Sequence, residues 1–271
     1  MRIGIIGGGT IARLFLDHIA KGDLGDARVV AILGREASAR SRALANEYGV
    51  ELAASIDALL HIKPAVIVEA AGHEALGAHA ERVLAAGIDL IVLSAGAMAD
   101  DALRRRLESA ARASGALLYV PSGGIGSLDA IKAAVVAGVD AVEIVSAKPP
   151  RAWKGIAYVE SLGVDLDRLT APYVLYDGPA RAGVKHFPQN VNIAAVLSMA
   201  GIGFDLTRLV AVADPTITTN THTISARGKT GEISITLKNV PAPENPKTAW
   251  LACYSALAAL KQLQSPIRYG T

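Results

Sequence analysis

Gly7, Gly9 and Ala12 stand at the spacing G-x-G-x-x-(G/A) within Arg2-Ile3-Gly4-Ile5-Ile6-Gly7-Gly8-Gly9-Thr10-Ile11-Ala12. That spacing serves pyrophosphate binding: the first glycine makes a tight turn, the second lets the backbone approach the phosphates, and the third small residue keeps a helix close to a strand. The following helix carries Ile11, Leu14, Phe15 and Ile19 on one face, so it can pack on a sheet. Its free N–H groups and positive dipole end then point at whatever lies over Gly7 to Thr10, which suits a phosphate. Gly7, Gly9, Thr10 and Ile11 are therefore candidate dinucleotide contacts. The same letters also fit an ordinary strand–turn–helix; the apolar strand before them and the amphipathic helix after them favour the dinucleotide.

The second strand ends Ile32-Leu33-Gly34-Arg35-Glu36. A site that prefers NAD usually carries an acid here, hydrogen-bonded to the ribose 2′-hydroxyl. Gly34 lacks it and a guanidinium follows, placed to stack on adenine or pair with a 2′-phosphate. NADP, or use of both cofactors, is favoured over strict NAD use. Glu36 keeps an NAD reading open, and a solvated surface arginine is the plain alternative for Arg35.

Further polar or small residues fall where strands end. Glu69-Ala70-Ala71-Gly72-His73, Ser94-Ala95-Gly96-Ala97 and Ser122-Gly123-Gly124-Ile125-Gly126 each close an apolar run, and ligands of open parallel sheets lie beyond such ends. Two dense polar segments follow. In Lys185-His186-Phe187-Pro188-Gln189-Asn190-Val191-Asn192, one asparagine reads as the N-cap of the apolar helix behind it. In Asn220-Thr221-His222-Thr223, His222 lies in a threonine-rich strand and taken alone reads as a surface histidine. No histidine has metal-ligand spacing with a second ligand. Cys253, the single cysteine, excludes an intrachain disulfide and reads as a small buried hydrophobe on a helix face.

The elements that must hold these residues change character along the chain. Strands at Val29–Leu33, Ala65–Glu69, Leu90–Leu93 and Leu117–Val120 alternate with helices at Ser38–Tyr48, His73–Ala86 and Asp100–Ala113, which predicts a doubly wound parallel sheet. After Pro121 come a helix at Ser127–Ala137, a strand at Ala141–Ser146 and, from Leu209, strands that alternate as antiparallel ones do. Thr218–Ala226 and Glu232–Lys238 flank a hairpin turn. A last helix over Lys247–Gln262 puts Trp250, Leu251, Tyr254, Leu257 and Leu260 on one face. The expected fold is α/β: residues 1–122 form a dinucleotide-binding domain on which 246–271 packs back, and 123–245 form an α+β domain with a mixed or antiparallel sheet. A chain of 271 residues that is 51% hydrophobic can bury two such cores. A net charge of +2 with no basic stripe gives nucleic-acid binding little support, and the uncharged stretch 113–128 is broken by Pro121 and glycines, so it cannot span a membrane. A reducing cytoplasm fits these features.

Taken in order, several motifs resemble the L-aspartate dehydrogenase family over nearly the whole chain. They are Ile6-Gly7-Gly8-Gly9-Thr10-Ile11, Val68-Glu69-Ala70-Ala71, Ser94-Ala95-Gly96-Ala97, Pro121-Ser122-Gly123-Gly124-Ile125 and Lys148-Pro149-Pro150. Phe187-Pro188-Gln189-Asn190-Val191-Asn192, Ala213-Asp214-Pro215, Asn220-Thr221-His222 and Asn245-Pro246-Lys247-Thr248 complete the set. The glycine turn is common to many dehydrogenases; the Phe-Pro-x-Asn-x-Asn and Asn-x-His segments are far more specific.

The resemblance implies a Rossmann domain and NAD(P)-dependent oxidation of L-aspartate to iminosuccinate, which water converts to oxaloacetate and ammonia. In some organisms the imine instead feeds NAD biosynthesis. By the same resemblance His222 is the catalytic histidine, Gly124 and Asn190 contact the cofactor, and the chain forms a homodimer through the second-domain sheet. Histidine suits removal of an ammonium proton at neutral pH. Two substrate carboxylates need cationic or N–H partners, for which Lys148, Gly123 and Asn192 are candidates, while Ala70 joins Arg35 on the cofactor side. No metal is expected. Alternatives are another two-domain dehydrogenase or a cofactor-binding sensor without turnover. A dihydrodipicolinate reductase would show paired histidines, and the chain has none; a sensor would need neither His222 nor Lys148.

Overall fold

Strands buried on both faces are apolar along most of their length, as the central strands of the first part of the chain are. Ile3, Ile5, Ile6, Ala31, Ile32, Val66, Ile67, Val68, Leu90 and Ile91 are all buried. The computed structural model describes residues 1–35, 38–188, 191–242, 245–267 and 269. The chain divides into two compact units, Met1–Pro121 with Ser255–Arg268, and Ser122–Tyr254 with Tyr269–Thr271.

The first unit runs β1 (Arg2–Ile6), α1 (Thr10–Ala20), β2 (Arg28–Leu33), α2 (Ala39–Tyr48), β3 (Glu51–Ala53), α3 (Ile56–His61), β4 (Val66–Glu69), α4 (His73–Ala85), β5 (Asp89–Val92), α5 (Asp101–Ser114) and β6 (Leu118–Tyr119). Its six strands pair in the order β3-β2-β1-β4-β5-β6, all parallel, which is the Rossmann arrangement. Strand order reverses between β1 and β4, so the binding crevice opens beyond the paired strand ends Ile6 and Glu69. Side-chain caps start α2 and α5. Ser38 Oγ accepts from Ser41 N at 3.2 Å, and Asp100 accepts from Ala102 N at 2.8 Å, contributions of about 1 kcal/mol each. The expected helix boundaries at Ser38 and Asp100 are therefore these caps. Sequence patterning shows neither β3 nor α3; three and six residues are too short to display a period.

The second unit holds α6 (Leu128–Ala137), β7 (Val139–Lys148), α7 (Ala157–Ser161), β8 (Tyr173–Pro179), α8 (Ala180–His186), α9 (Asn192–Ala200), β9 (Thr207–Ala213), β10 (Asn220–Gly228), β11 (Gly231–Asn239), β12 (Pro241–Ala242) and β13 (Asn245–Ala249), then α10 (Trp250–Gln264), whose residues from Ser255 belong to the first unit. Its main sheet is mixed, in the order β11-β10-β7-β9-β8. Period-two alternation puts Val142, Ile144, Ser146 and Lys148 of β7 on the buried face with Asn220, His222, Ile224 and Ala226 of β10. The hairpin β10–β11 turns at Lys229-Thr230, between the paired Gly228 and Gly231.

The structure corrects two expectations and adds a strand. The strand beginning near Leu209 is β9, and it pairs with β7 in parallel, because the chain runs back through β8, antiparallel to β9, before α8 and α9 lead into it. β8 is a strand although its Gly178 and Pro179 argue against one; it lies at the sheet edge, where such residues are tolerated. The last helix starts at Trp250, because Asn245–Ala249 pairs with Pro241–Ala242, and Pro246 disposes the residue before it to extended backbone. Its buried face is Cys253, Ala256, Leu257 and Leu260, while Leu251 and Tyr254 are 40% and 42% exposed. Small Cys253 and Ala256 face inward in place of those larger residues. Among the described residues no helix is long and apolar enough to cross a membrane.

Candidate active site

In the first unit the turn after β1 forms a cradle with room on one side only. Gly7 has φ +113°, and a Cβ there would lie 2.8 Å from the Ala70 carbonyl oxygen, so the ends of β1 and β4 touch through bare backbone. A Cβ on Gly8 would run into Ser41, whereas one on Gly9 would meet nothing within 4 Å. Gly9 is the N-cap of α1; it offers no side chain to the first N–H groups, and the first turn carries no acid. An open position over an uncapped, positive helix end fits a pyrophosphate. Thr10, Ile11 and Ala70 stand around this turn, and Arg35 is exposed just past β2. Gly7→Ala combines a left-handed backbone with a backbone clash, and is expected to destabilise this unit by about 2–4 kcal/mol, read from a urea titration.

Glu69 closes one of the strand ends that the sequence marks out, but its own role is not among the sequence's candidates. It is buried at the end of β4 and accepts from Ala71 N (2.8 Å), Gly72 N (2.9 Å), Ser94 N (3.1 Å) and Ser94 Oγ (2.9 Å). Every contact is a donation to it, so one carboxyl group braces the loops that leave β4 and β5. The signal is an acid closing the apolar run Val66-Ile67-Val68, which cannot be buried unless its oxygens are satisfied.

The second unit gathers polar residues on the buried face of its sheet. His222 and Lys148 are each only 2% exposed. His222 pairs across the ladder with Ser146, and Asn220 with Asn239. Lys148 Nζ lies 5.3 Å over the Trp153 ring, whose Nε1 donates to the Val212 carbonyl at 3.0 Å. Phe187 packs edge-on against the same indole. Burial pushes the Lys148 ammonium down to about 7, and burial together with the Lys148 charge pushes His222 down to about 3. The imidazole is thus neutral across the physiological range, the form able to take a proton. Neither His222 Nδ1 nor Ser146 Oγ has a hydrogen-bond partner among the described residues. Burying an unsatisfied polar atom costs about 1–3 kcal/mol, and such a cost is characteristic of groups kept for a ligand.

Gly124 is joined to the same region by its carbonyl, which accepts from Asn239 Nδ2 at 2.7 Å. A Cβ on Gly124 would be 3.5 Å from Ile193 in the first turn of α9, and one on Gly123 4.0 Å from the same side chain. Asn192 is the first residue of α9 and half-buried; the cap position is Val191, so Asn192 is not the helix cap. Asn190 and Glu36 lie outside the described residues. Of the second-unit candidates, the structure therefore groups Lys148 with His222 on one sheet face, and Gly123 and Gly124 with the start of α9. Cys253 is buried, and its thiol is pushed up to about 11, mainly by that burial, which makes it inert as a nucleophile.

Comparison with known proteins bears on the whole chain. A family model described as aspartate dehydrogenase, C-terminal, matches residues 129–263, and one described as homoserine dehydrogenase, NAD binding domain, matches residues 7–121. The chain is 45% identical over 266 residues to L-aspartate dehydrogenase 2 of Bordetella pertussis, covering 96% of each. It is 38% identical over 280 residues to the L-aspartate dehydrogenase of Methanosarcina acetivorans, covering all of both. The solved aspartate dehydrogenase of Thermotoga maritima is similar at a TM-score of 0.75 and 27% identity, with 100% of this chain and 99% of that one covered. Motifs in sequence order, a Rossmann sheet and relatives matched end to end agree: the chain belongs to the aspartate dehydrogenase family.

Proposed function

We propose that this protein oxidises L-aspartate to iminosuccinate with NAD or NADP, the imine then hydrolysing to oxaloacetate and ammonia. The observation that carries the reading is the placement of His222 and Lys148 on one buried sheet face in a chain of this family. When bound, the nicotinamide accepts the hydride that leaves the substrate α-carbon. As that carbon–nitrogen bond becomes double, the ammonium group must release one proton, and the neutral His222 ring takes it. Two incoming carboxylates raise the proton affinity of a ring that burial alone holds low. Lys148 pairs with one of them, which in turn keeps its ammonium charged. The Gly123–Gly124 backbone and Asn192 supply further donors, Gly124 and Asn190 also serve the cofactor, and the cradle of Gly7, Gly9, Thr10, Ile11 and Ala70 takes the pyrophosphate.

We also infer a homodimer in the cytoplasm. The sheet face opposite His222 carries Val145, Val212, Thr221 and Thr223, all only half-buried, which supports a partner there. The deciding experiment is the initial rate of nicotinamide reduction with L-aspartate, D-aspartate and L-glutamate, using NAD and NADP separately. Turnover with L-aspartate alone is the expected result; cofactor binding without aspartate turnover would overturn the assignment.

A further inference from the structure

Ser41 lies in the first turn of α2, buried between two glycines that are far apart in sequence. Its hydroxyl donates to Ser38 Oγ at 3.1 Å, and its N–H to the same oxygen at 3.2 Å, so the cap of α2 fixes the side chain. On one side is Gly8 in the phosphate turn, where an added Cβ would lie 2.8 Å from Ser41 Cβ and 2.9 Å from its Cα. On the other is Gly34, directly after β2, where an added Cβ would lie 2.5 Å from Ser41 Cβ. Swinging the hydroxyl away relieves neither contact, because the Cβ itself is too close. Beyond Ser41 the next atom near Gly34 is Leu52 Cδ1 at 3.8 Å, an ordinary contact. One methylene group therefore keeps position 34 bare.

Position 34 is where an acid would hold the free ribose 2′-hydroxyl of NAD. We propose that Ser41 is a specificity-determining residue for the cofactor: it excludes the carboxylate from position 34 and leaves the 2′ position to the exposed Arg35, so the site prefers the 2′-phosphorylated dinucleotide. The inference rests on the dehydrogenase reading, and deepens it by choosing between the two cofactors. A guanidinium meets a phosphate with paired, charge-assisted hydrogen bonds, and such bonds contribute enough for a roughly 10- to 100-fold preference.

Direct binding of NADP⁺ and of NAD⁺, by calorimetry and without any amino acid present, tests this independently of aspartate turnover. The wild type is expected to bind NADP⁺ about 10-fold tighter or more, and Arg35→Ala to lose that margin while holding NAD⁺ within about 2-fold. Gly34→Asp alone should weaken both cofactors, and Gly34→Asp with Ser41→Ala should do no better, because the Cβ remains. Gly34→Asp with Ser41→Gly should recover NAD⁺ binding and reverse the preference. Ser41→Gly alone should keep the wild-type order. Tighter binding of NAD⁺ by the wild type would overturn the proposal. So would a Gly34→Asp single variant that binds NAD⁺ as well as the double variant does. Arg35 is a surface residue, so its arm remains informative should a Gly34 variant fail to fold.

Discussion

His222→Ala lowers kcat with L-aspartate by an expected 10²- to 10⁴-fold, roughly the usual contribution of a positioned general base. The dissociation constant for NADP⁺ or NAD⁺, measured by calorimetry, stays within about 2-fold, because the cradle formed by Gly7, Gly9 and the start of α1 lies in the other unit. Burial keeps the free ring well below its ordinary value, down to about 3. Between roughly pH 5 and 9 the free ring is neutral throughout, so kcat/KM shows no acid limb from His222 in that window. An unchanged kcat in the variant would remove His222 from the chemistry.

Lys148→Met is expected to do two opposite things. Losing the cation takes away the partner of a substrate carboxylate, and kcat/KM for L-aspartate falls about 10²- to 10³-fold, most of it through KM. The protein itself becomes more stable. The folded-state ammonium is held down at about 7 against an ordinary 10.5. Between those two values the unfolded chain binds the extra proton, so wild-type stability rises with pH across the interval. Below about 7 the penalty of the buried ammonium is fully present, and near pH 10.5 it has gone. Replacing Lys148 with an apolar side chain of similar length removes that penalty, a gain of about 1–4 kcal/mol at pH 6. A gain of that size raises Tm by roughly 3–10 °C at this chain length. Thermal melts at about pH 6 and pH 10 check the sign: the gain should shrink at the higher pH. A loss of stability at the lower pH would show that Lys148 is compensated within the protein itself. For the wild type, KM for L-aspartate should rise as pH passes about 7 and the free enzyme loses the Lys148 proton.

The first unit is legible because its central strands are apolar along most of their length. Val66-Ile67-Val68 can be little other than a strand covered on both faces, and Gly7, Gly9 and Ala12 mark the turn beside it. The second unit is less so. The parallel pairing of β7 with β9 depends on the reversed strand β8 and the helices between them, and strand periodicity carries no direction. Tyr173–Pro179 is a strand that the sequence reading leaves out, and the neighbouring β9 gives it its partner. His222 reads as a surface residue for a related reason: alternation says that every second residue shares a face, not which face is covered. Its burial becomes visible only once Ile224 and Ala226 are seen on the same face. Lys148, Glu69 and Ser41 show the other limit. A charged or hydroxylated residue suggests exposure by its type, and only the donors, rings or glycines gathered around it from elsewhere in the chain make its burial possible.

The assignment of α10 from Ser255 onward to the first unit bears on how the protein is made. Met1–Pro121 leaves the ribosome ahead of the second unit, but the buried Ala256, Leu257 and Leu260 that complete its core follow only after all of Ser122–Tyr254. At roughly 5–20 residues per second, the nascent cofactor unit waits on the order of ten seconds with the surface that receives α10 uncovered. During that interval the growing chain is a natural client for a holding chaperone, and its nucleotide-binding unit is finished only after the second unit has been made.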